Sequence, residues 1–309
     1  MTVLLRHLLH RSRHVSSRGF LLLSTLLVFV VGCSPELPGE GPTGTSPNSI
    51  APIPAEQLKS TADTNGDVPT LAPPPAPTQS IIPDTGWEVV GQGLERRVIN
   101  LVSLDGDSTQ SLYLLRIDPD HHRFDVGYHP GNPQSLLGWG EETEALIVVN
   151  GGYFTEEYHA TNLVITDGFG SGSSYQGFGG MFSVDNQGPR LRWLQQQPYD
   201  EAESIAAGLQ SFPMLVTPGG KLAYKDEMGD KARRTVIAED RHGRILFIIS
   251  PSATFTLAEM SRYLTNSDLE IDAALNLDGG TSTGLLLADP AEGIPAFSEL
   301  PLVLLVYPR

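Results

Sequence analysis

Proline decides how much of this chain can fold. Of its 24 prolines, 12 fall within residues 34–84, mixed with Ser, Thr and Gly and few aromatic side chains. Such a stretch cannot bury enough apolar surface to offset the entropy of ordering it. Its run Ala72-Pro73-Pro74-Pro75-Ala76-Pro77 favours extended polyproline geometry. The sequence therefore predicts a disordered tether over 33–84. One folded domain is expected over 85–309, long enough to bury a substantial core.

The segment before the tether has a different character. Residues 1–32 carry four arginines (Arg6, Arg11, Arg13, Arg18) and no acid, then an uncharged apolar run, FLLLSTLLVFVVG, from Phe20. This is the layout of a secretory signal, and the apolar run is short for a membrane-crossing helix. It ends in Val30-Val31-Gly32-Cys33, small residues before the only cysteine, which resembles a lipobox with Cys33 as the lipidation site. The expectation is an exported lipoprotein, anchored to the membrane on its extracytoplasmic side. A lone cysteine excludes a disulfide framework and zinc sites built on cysteine pairs. The formal net charge is −16, and removing residues 1–32 takes away only positive charge. Nucleic acid is thus excluded as a partner, and an anionic ligand needs locally placed arginines or backbone N–H groups.

Within Thr85–Arg309 the pattern is of strands with a few short helices. Ser111–Ile117, Leu146–Asn150, Leu163–Thr166, Ala273–Leu277, Leu285–Leu287 and Leu302–Val306 read as strands. Asp167-Gly168 is a turn signal, and the glycine-rich 168–180 reads as a mobile loop. Arg234–Asp240 and Arg244–Ser250 form a hairpin around Arg241-His242-Gly243. Thr256-Leu257-Ala258-Glu259 fits a capping box opening a helix with Leu257, Met260 and Leu264 on one face. The fold class expected is α+β: a mixed, largely antiparallel β core with a few short helices.

Several chemistries fail on their own requirements. Ser282 sits in a G-x-S-x-G pattern, but no His follows His242, so the hydrolase chain order is broken. The glycine-rich loop lacks the phosphate-cradling signatures of nucleotide sites. His121-His122 reads as a solvated turn. What remains are polar residues at strand ends beside glycines: Asn150-Gly151-Gly152-Tyr153-Phe154, Arg233-Arg234-Thr235 and Asn276-Leu277-Asp278-Gly279-Gly280-Thr281-Ser282. Arg supplies a bidentate clamp for phosphate or carboxylate. Asp acts as a base or holds a sugar hydroxyl. Glycines let a ligand approach backbone N–H groups. Each segment taken alone also reads as a tight turn.

Their order is more telling. NGGYF, then NLVITDG, SFPMLV, RRT, a hairpin, a capped helix and ALNLDGGTST together resemble the phosphodiester glycosidase family, over roughly Leu146–Pro308. The family's motifs fall on Asn150, Gly151, Gly152, Tyr153 and Phe154, on Arg234 and Thr235, and on Leu277, Asp278, Gly279, Gly280 and Ser282, with Thr281 at a variable place. Thr161-Asn162-Leu163 departs from the family's usual Pro-x-Gly.

The resemblance implies a hydrolase acting on a sugar-1-phosphodiester, a phosphoglycan or exopolysaccharide-type carbohydrate at the cell envelope. Cleavage at the sugar C1–O bond releases a phosphomonoester whose second pKa is about 6, a leaving group that needs little acid assistance. One carboxylate activating water then suffices. Asp278 is expected in that role, or as orienter of the sugar. Arg234 is expected on the phosphate, and Asn150 and Thr235 on sugar hydroxyls or phosphate oxygens. Gly151, Gly152, Tyr153, Gly279, Gly280, Thr281 and Ser282 are expected to line the substrate. No cofactor is expected, and a divalent metal is left open. The rival reading is a non-catalytic, envelope-tethered binder of phosphoglycan or polysaccharide.

Overall fold

The computed structural model describes residues 83–102, 109–225 and 229–309. The expected signal segment, Cys33 and the tether up to residue 82 lie outside the described residues. Three antiparallel sheets make up the fold. The first has eight strands: β1 (Glu88–Gly91), β2 (Leu94–Val102), β3 (Thr109–Ile117), β11 (Met214–Thr217), β12 (Lys221–Leu222), β13 (Ala232–Asp240), β14 (Ile245–Phe255) and β15 (Ile271–Asn276), in the order β1-β2-β3-β14-β13-β15-β11-β12. The second, in the order β7-β6-β10-β8-β9, contains β6 (Val164–Thr166), β7 (Phe169–Ser171), β8 (Gly180–Asp185), β9 (Gly188–Trp193) and β10 (Ala207–Ser211). The third, β17-β16-β5-β18-β4, contains β4 (His122–Tyr128), β5 (Ile147–Asn150), β16 (Leu285–Leu287), β17 (Glu292–Ile294) and β18 (Leu302–Pro308). Every pairing among the described strands is antiparallel, which corrects the expectation of a mixed sheet.

The apolar runs at the centre of the first sheet are continuous because both of its faces are covered. Ile237, Ile245, Phe247, Ile249 and Leu275 point into the main core, with Leu209, Leu285 and Leu304 of the other two sheets. Their neighbours Val236, Ala238, Leu246, Ile248 and Ala274 point the other way, under the helix α2 (Leu257–Asn266), onto Met260 and Leu264. That helix opens with the expected capping box, Thr256 and Glu259 each bonding the other's backbone.

A second helix, α1 (Leu136–Thr143), was not legible from the sequence, because Gly138 and Gly140 interrupt it. Tertiary packing holds it instead. Trp139 is fully buried and donates its indole N–H to the Leu300 carbonyl at 2.8 Å.

Two local expectations need correcting. Phe169–Ser171 is not a mobile loop; it folds back on β6 across the Asp167-Gly168 turn, whose φ angles are both positive. His122 is not solvated: it begins β4, is buried, and desolvation pushes its imidazole down. The hairpin is as expected, and Asp240, the last residue of β13, closes its turn, its carboxylate accepting from the backbone N–H groups of His242 and Arg244.

Candidate functional site

Asp278 follows the end of β15 and precedes the 3-10 turn Gly280–Ser282. It floors a cleft of about 450 Å³ whose walls include Phe154, Tyr158, Thr281, Ser282 and Ser298. Burial pushes its carboxyl above the usual range, partly offset by hydrogen bonds from Ser282 and the Gly279 N–H. No arginine or lysine forms an ion pair with it among the described residues. It is a largely buried acid, oriented by its own loop and open to a cleft.

Three expected residues support Asp278 from behind. Asn150 has no exposed surface, and its amide donates to the Asp278 carbonyl at 2.8 Å. Its Oδ1 accepts from the Thr235 hydroxyl at 2.7 Å and the Gly284 N–H at 3.0 Å. Thr235 is equally buried. The expectation that these two side chains touch substrate is therefore corrected. Their hydrogen-bonding groups are engaged within the protein, and they hold the backbone that carries Asp278. The Asp278 N–H itself donates to the Gly151 carbonyl.

The glycines also act differently from expectation. Gly151 donates to the Leu302 carbonyl, and a Cβ there would lie 2.6 Å from the Leu302 side chain. A Cβ on Gly152 would lie 3.0 Å from the Gln210 carbonyl. Both are small because strands pack over them, not because a ligand does. The Gly279 N–H turns to the Asp278 carboxylate at 2.8 Å, so it does not serve an outward anion nest. Gly280, at φ +61°, faces open space.

Arg234 lies on the other side of this loop. Its Nε donates to the Phe255 carbonyl at 3.1 Å and Nη2 to the Asp230 carbonyl at 2.6 Å. Nη1 is left facing the loop, 4.0 Å from where a Cβ on Gly279 would stand. Burial holds its pKa below the free value, and no carboxylate side chain bonds it among the described residues. Tyr153 joins the two charges. Burial, then the Asp278 carboxylate, push its phenol up, while Arg234 acts in the opposite direction. Its hydroxyl receives an N–H from Asn276 at 2.7 Å and donates to the Phe212 carbonyl at 3.1 Å.

Sequence reasoning missed the aromatic wall beyond Tyr153. The Tyr153 and Phe212 rings lie 4.8 Å apart, Tyr175 meets Phe178 at 4.4 Å, and Tyr175 meets Phe212 at 5.7 Å. Phe178 is 49% exposed and Phe212 40%. Beyond them runs an open groove of about 380 Å³, lined also by Trp193 and Tyr224. The signal was present in SFPMLV and in the aromatic residues of the glycine-rich segment, but nothing local says that those rings meet. Asn162, in the segment that departs from the usual Pro-x-Gly, is buried behind this wall and donates to the Gln210 carbonyl. Among the described residues no group of three His, Cys, Asp or Glu side chains is placed to hold a metal ion.

The arrangement combines a partly buried carboxylate with no cation bonded to it among the described residues, an arginine whose Nη1 faces the Asp278 loop, and exposed aromatic faces. The phosphodiester glycosidase family model matches residues 143–303, just over half of the chain. Among solved structures, one similar to this chain is the zebrafish N-acetylglucosamine-1-phosphodiester alpha-N-acetylglucosaminidase catalytic domain, auto-inhibited by its pro-peptide. The TM-score is 0.58 at 17% identity, over 71% of this chain and 85% of that one. A hypothetical protein from Synechocystis is similar with a TM-score of 0.54 at 14% identity, over 70% of this chain and 62% of that one, so the match spans less than two thirds of its length. At these identities the likeness speaks to the fold. A search of curated proteins finds no match. The family match runs from within α1 to within β18 and takes in Asn150, Arg234, Thr235 and Asp278, and on it this chain belongs to the phosphodiester glycosidase family.

Proposed function

We propose that this protein hydrolyses a sugar-1-phosphodiester at the cell envelope, with Asp278 activating water or orienting the sugar and Arg234 holding the phosphate. The observation that carries this reading is the Asp278 carboxylate, partly buried, bonded to no cation among the described residues and open to the 450 Å³ cleft. Desolvation raises its basicity, which suits a general base, and Glu156 lines the same cleft. The sugar occupies the cleft over Asp278, within reach of the Thr281, Ser282 and Ser298 hydroxyls. Asp278 takes one proton from a water molecule as the water oxygen adds at C1 and the C1–O bond breaks. The leaving phosphomonoester keeps the bridging oxygen and both bonding electrons, and Nη1 of Arg234 meets its charge. The aromatic wall of Phe212 and Phe178 accepts the flat face of a ring on the far side. In this reading, Cys33 carries the lipid that ties the enzyme to the membrane.

The test is full-length protein on a panel of sugar-1-phosphodiesters, followed by phosphorus NMR and a reducing-sugar assay. Paired release of phosphomonoester and free sugar is expected, lost in Asp278→Asn and Arg234→Ala. Full activity in a well-folded Asp278→Asn variant refutes the assignment. Mass spectrometry of the mature N-terminus tests lipidation at Cys33; an unmodified cysteine refutes it.

A further inference from the structure

Three arginines are buried among the described residues, and two of them are paired with carboxylates. Arg97 bridges Asp84 and Asp268, and Arg192 bonds Glu203 through both terminal nitrogens. The third, Arg233, is 8% exposed and has no carboxylate partner among the described residues. Only its Nη2 is bonded, to the Pro295 carbonyl at 2.8 Å, while Nε and Nη1 are buried with no partner. The Phe297 ring lies over the guanidinium, 4.3 Å from the ring centroid. A buried cation without a counter-charge is costly. In so acidic a chain, a buried arginine with no carboxylate among the described residues is a place where an added anion would be stabilised.

Arg233 reaches the Pro295 carbonyl and the Phe297 ring, whereas Arg234 reaches the Phe255 and Asp230 carbonyls, so the two side chains leave β13 in different directions. The Asp278–Thr281 loop lies close to this pair: a Cβ on Gly279 would sit 2.8 Å from the Arg233 carbonyl and 4.0 Å from Nη1 of Arg234. On the Arg233 side, the Phe297 N–H donates to the Thr281 carbonyl at 2.7 Å. The hydroxyls of Thr281, Ser282 and Ser298 are linked there at 3.4 Å. Phe297 is 70% exposed. Its backbone N–H is held by Thr281 while its ring faces solvent.

We propose that Arg233 is a second anion-binding residue: a phosphate site, closed by the Phe297 ring, across the Asp278 loop from Arg234. Nε and Nη1 lie on different edges of the guanidinium, so an oxyanion meets either one as a charge-assisted donor in a site that water does not reach. Its geometry stands independently of turnover; its preference for phosphate rests on the proposed function.

The experiment titrates full-length protein with inorganic phosphate, by calorimetry and thermal melting, without substrate. Wild type is expected to bind saturably. Phe297→Ala is expected to bind about threefold to tenfold more tightly, since no ring has to be displaced. Arg233→Met is expected to bind at least about tenfold more weakly, having lost charged hydrogen bonds. In phosphate-free buffer, Arg233→Met is expected to melt no lower than wild type, because replacing an unpaired buried charge by an apolar chain removes a penalty. No binding by wild type, wild-type affinity in Arg233→Met, or a melting point several degrees lower in that variant overturns the proposal. Unchanged affinity in Phe297→Ala overturns the gate. Turnover of a sugar-1-phosphodiester by a protein that fails these tests leaves the proposed function standing. A phosphate site in a protein with no turnover does the converse.

Discussion

The link between Asn150 and Thr235 allows a quantitative test of how Asp278 is held. Asn150→Ala removes one side chain but strands three buried groups: the Asp278 carbonyl, the Gly284 N–H and the Thr235 hydroxyl. Each unsatisfied buried group costs about 1–3 kcal/mol, so a loss of about 4 kcal/mol is expected. Thr235→Val is nearly isosteric and removes only the 2.7 Å donation. Asn150 Oδ1 still accepts from Gly284, so the expected cost is about 1 kcal/mol. In the double variant, the hydroxyl that Asn150→Ala would have stranded is already absent. The two losses should therefore fall short of additivity by about 1–2 kcal/mol. The assay is urea unfolding of the four proteins followed by tryptophan fluorescence. Additivity within about 0.5 kcal/mol, or a loss below about 1 kcal/mol for Asn150→Ala, would refute the network as the support of the Asp278 loop.

Further outcomes follow from single groups. Burial raises the carboxyls of Asp278 and Glu239, so the folded protein holds these protons more tightly than the unfolded chain. Their contribution to stability is then complete below about pH 4 and is lost as pH rises through the raised folded values. Asp278→Asn should flatten that decline in denaturant unfolding run as a pH series, and an unchanged slope would count against the raised value. In the proposed reaction Asp278 must be ionised, so kcat/KM of wild type should climb over the same window; a flat acidic limb would remove it as the base. Thr256→Ala breaks the capping box of α2 and should cost about 1 kcal/mol in urea unfolding. Arg97→Ala should speed hydrogen exchange at Thr85 and Asn100, because Arg97 ties Asp84 to Asp268 beneath the Trp87 ring; unchanged protection there would contradict that link.

The runs that became β5, β6, β13, β14, β15, β16 and β18 were legible because buried strands in a covered sheet read as short apolar runs. The cap of α2 was legible because a capping box is local chemistry. Helix α1 was not, since Trp139 is held by the distant Leu300 carbonyl. The residues around the site were legible as types but not as roles. Asn150 and Thr235 look like ligands at strand ends, and only the pairing of distant segments shows that they bond each other. Which of Arg233 and Arg234 faces Phe297 depends on the register of β13, and that register is irregular. The pairing of β13 with β14 shifts between Ala232 and Arg234, placing the arginine pair at a bulge. A bulge re-aims side chains, and no hydrophobic pattern records it.

The site owes its position to that arrangement of sheets. Asn150 ends β5 of the third sheet, whereas Thr235 lies on β13 of the first. Their hydrogen bond crosses from one sheet to the other, and the Asp278 backbone is fastened to the same amide. The carboxylate is thus mounted on the seam between two sheets rather than on either one. Gly284, bonded to the same Asn150, leads directly into β16 of the third sheet, so the Asp278–Thr283 segment is clamped at both ends. A loop held in this way can keep a partly buried carboxylate in place with no cation among the described residues bonded to it, because the surrounding hydrogen bonds fix its geometry. That leaves the Asp278 charge available to a ligand, the condition the proposed chemistry requires.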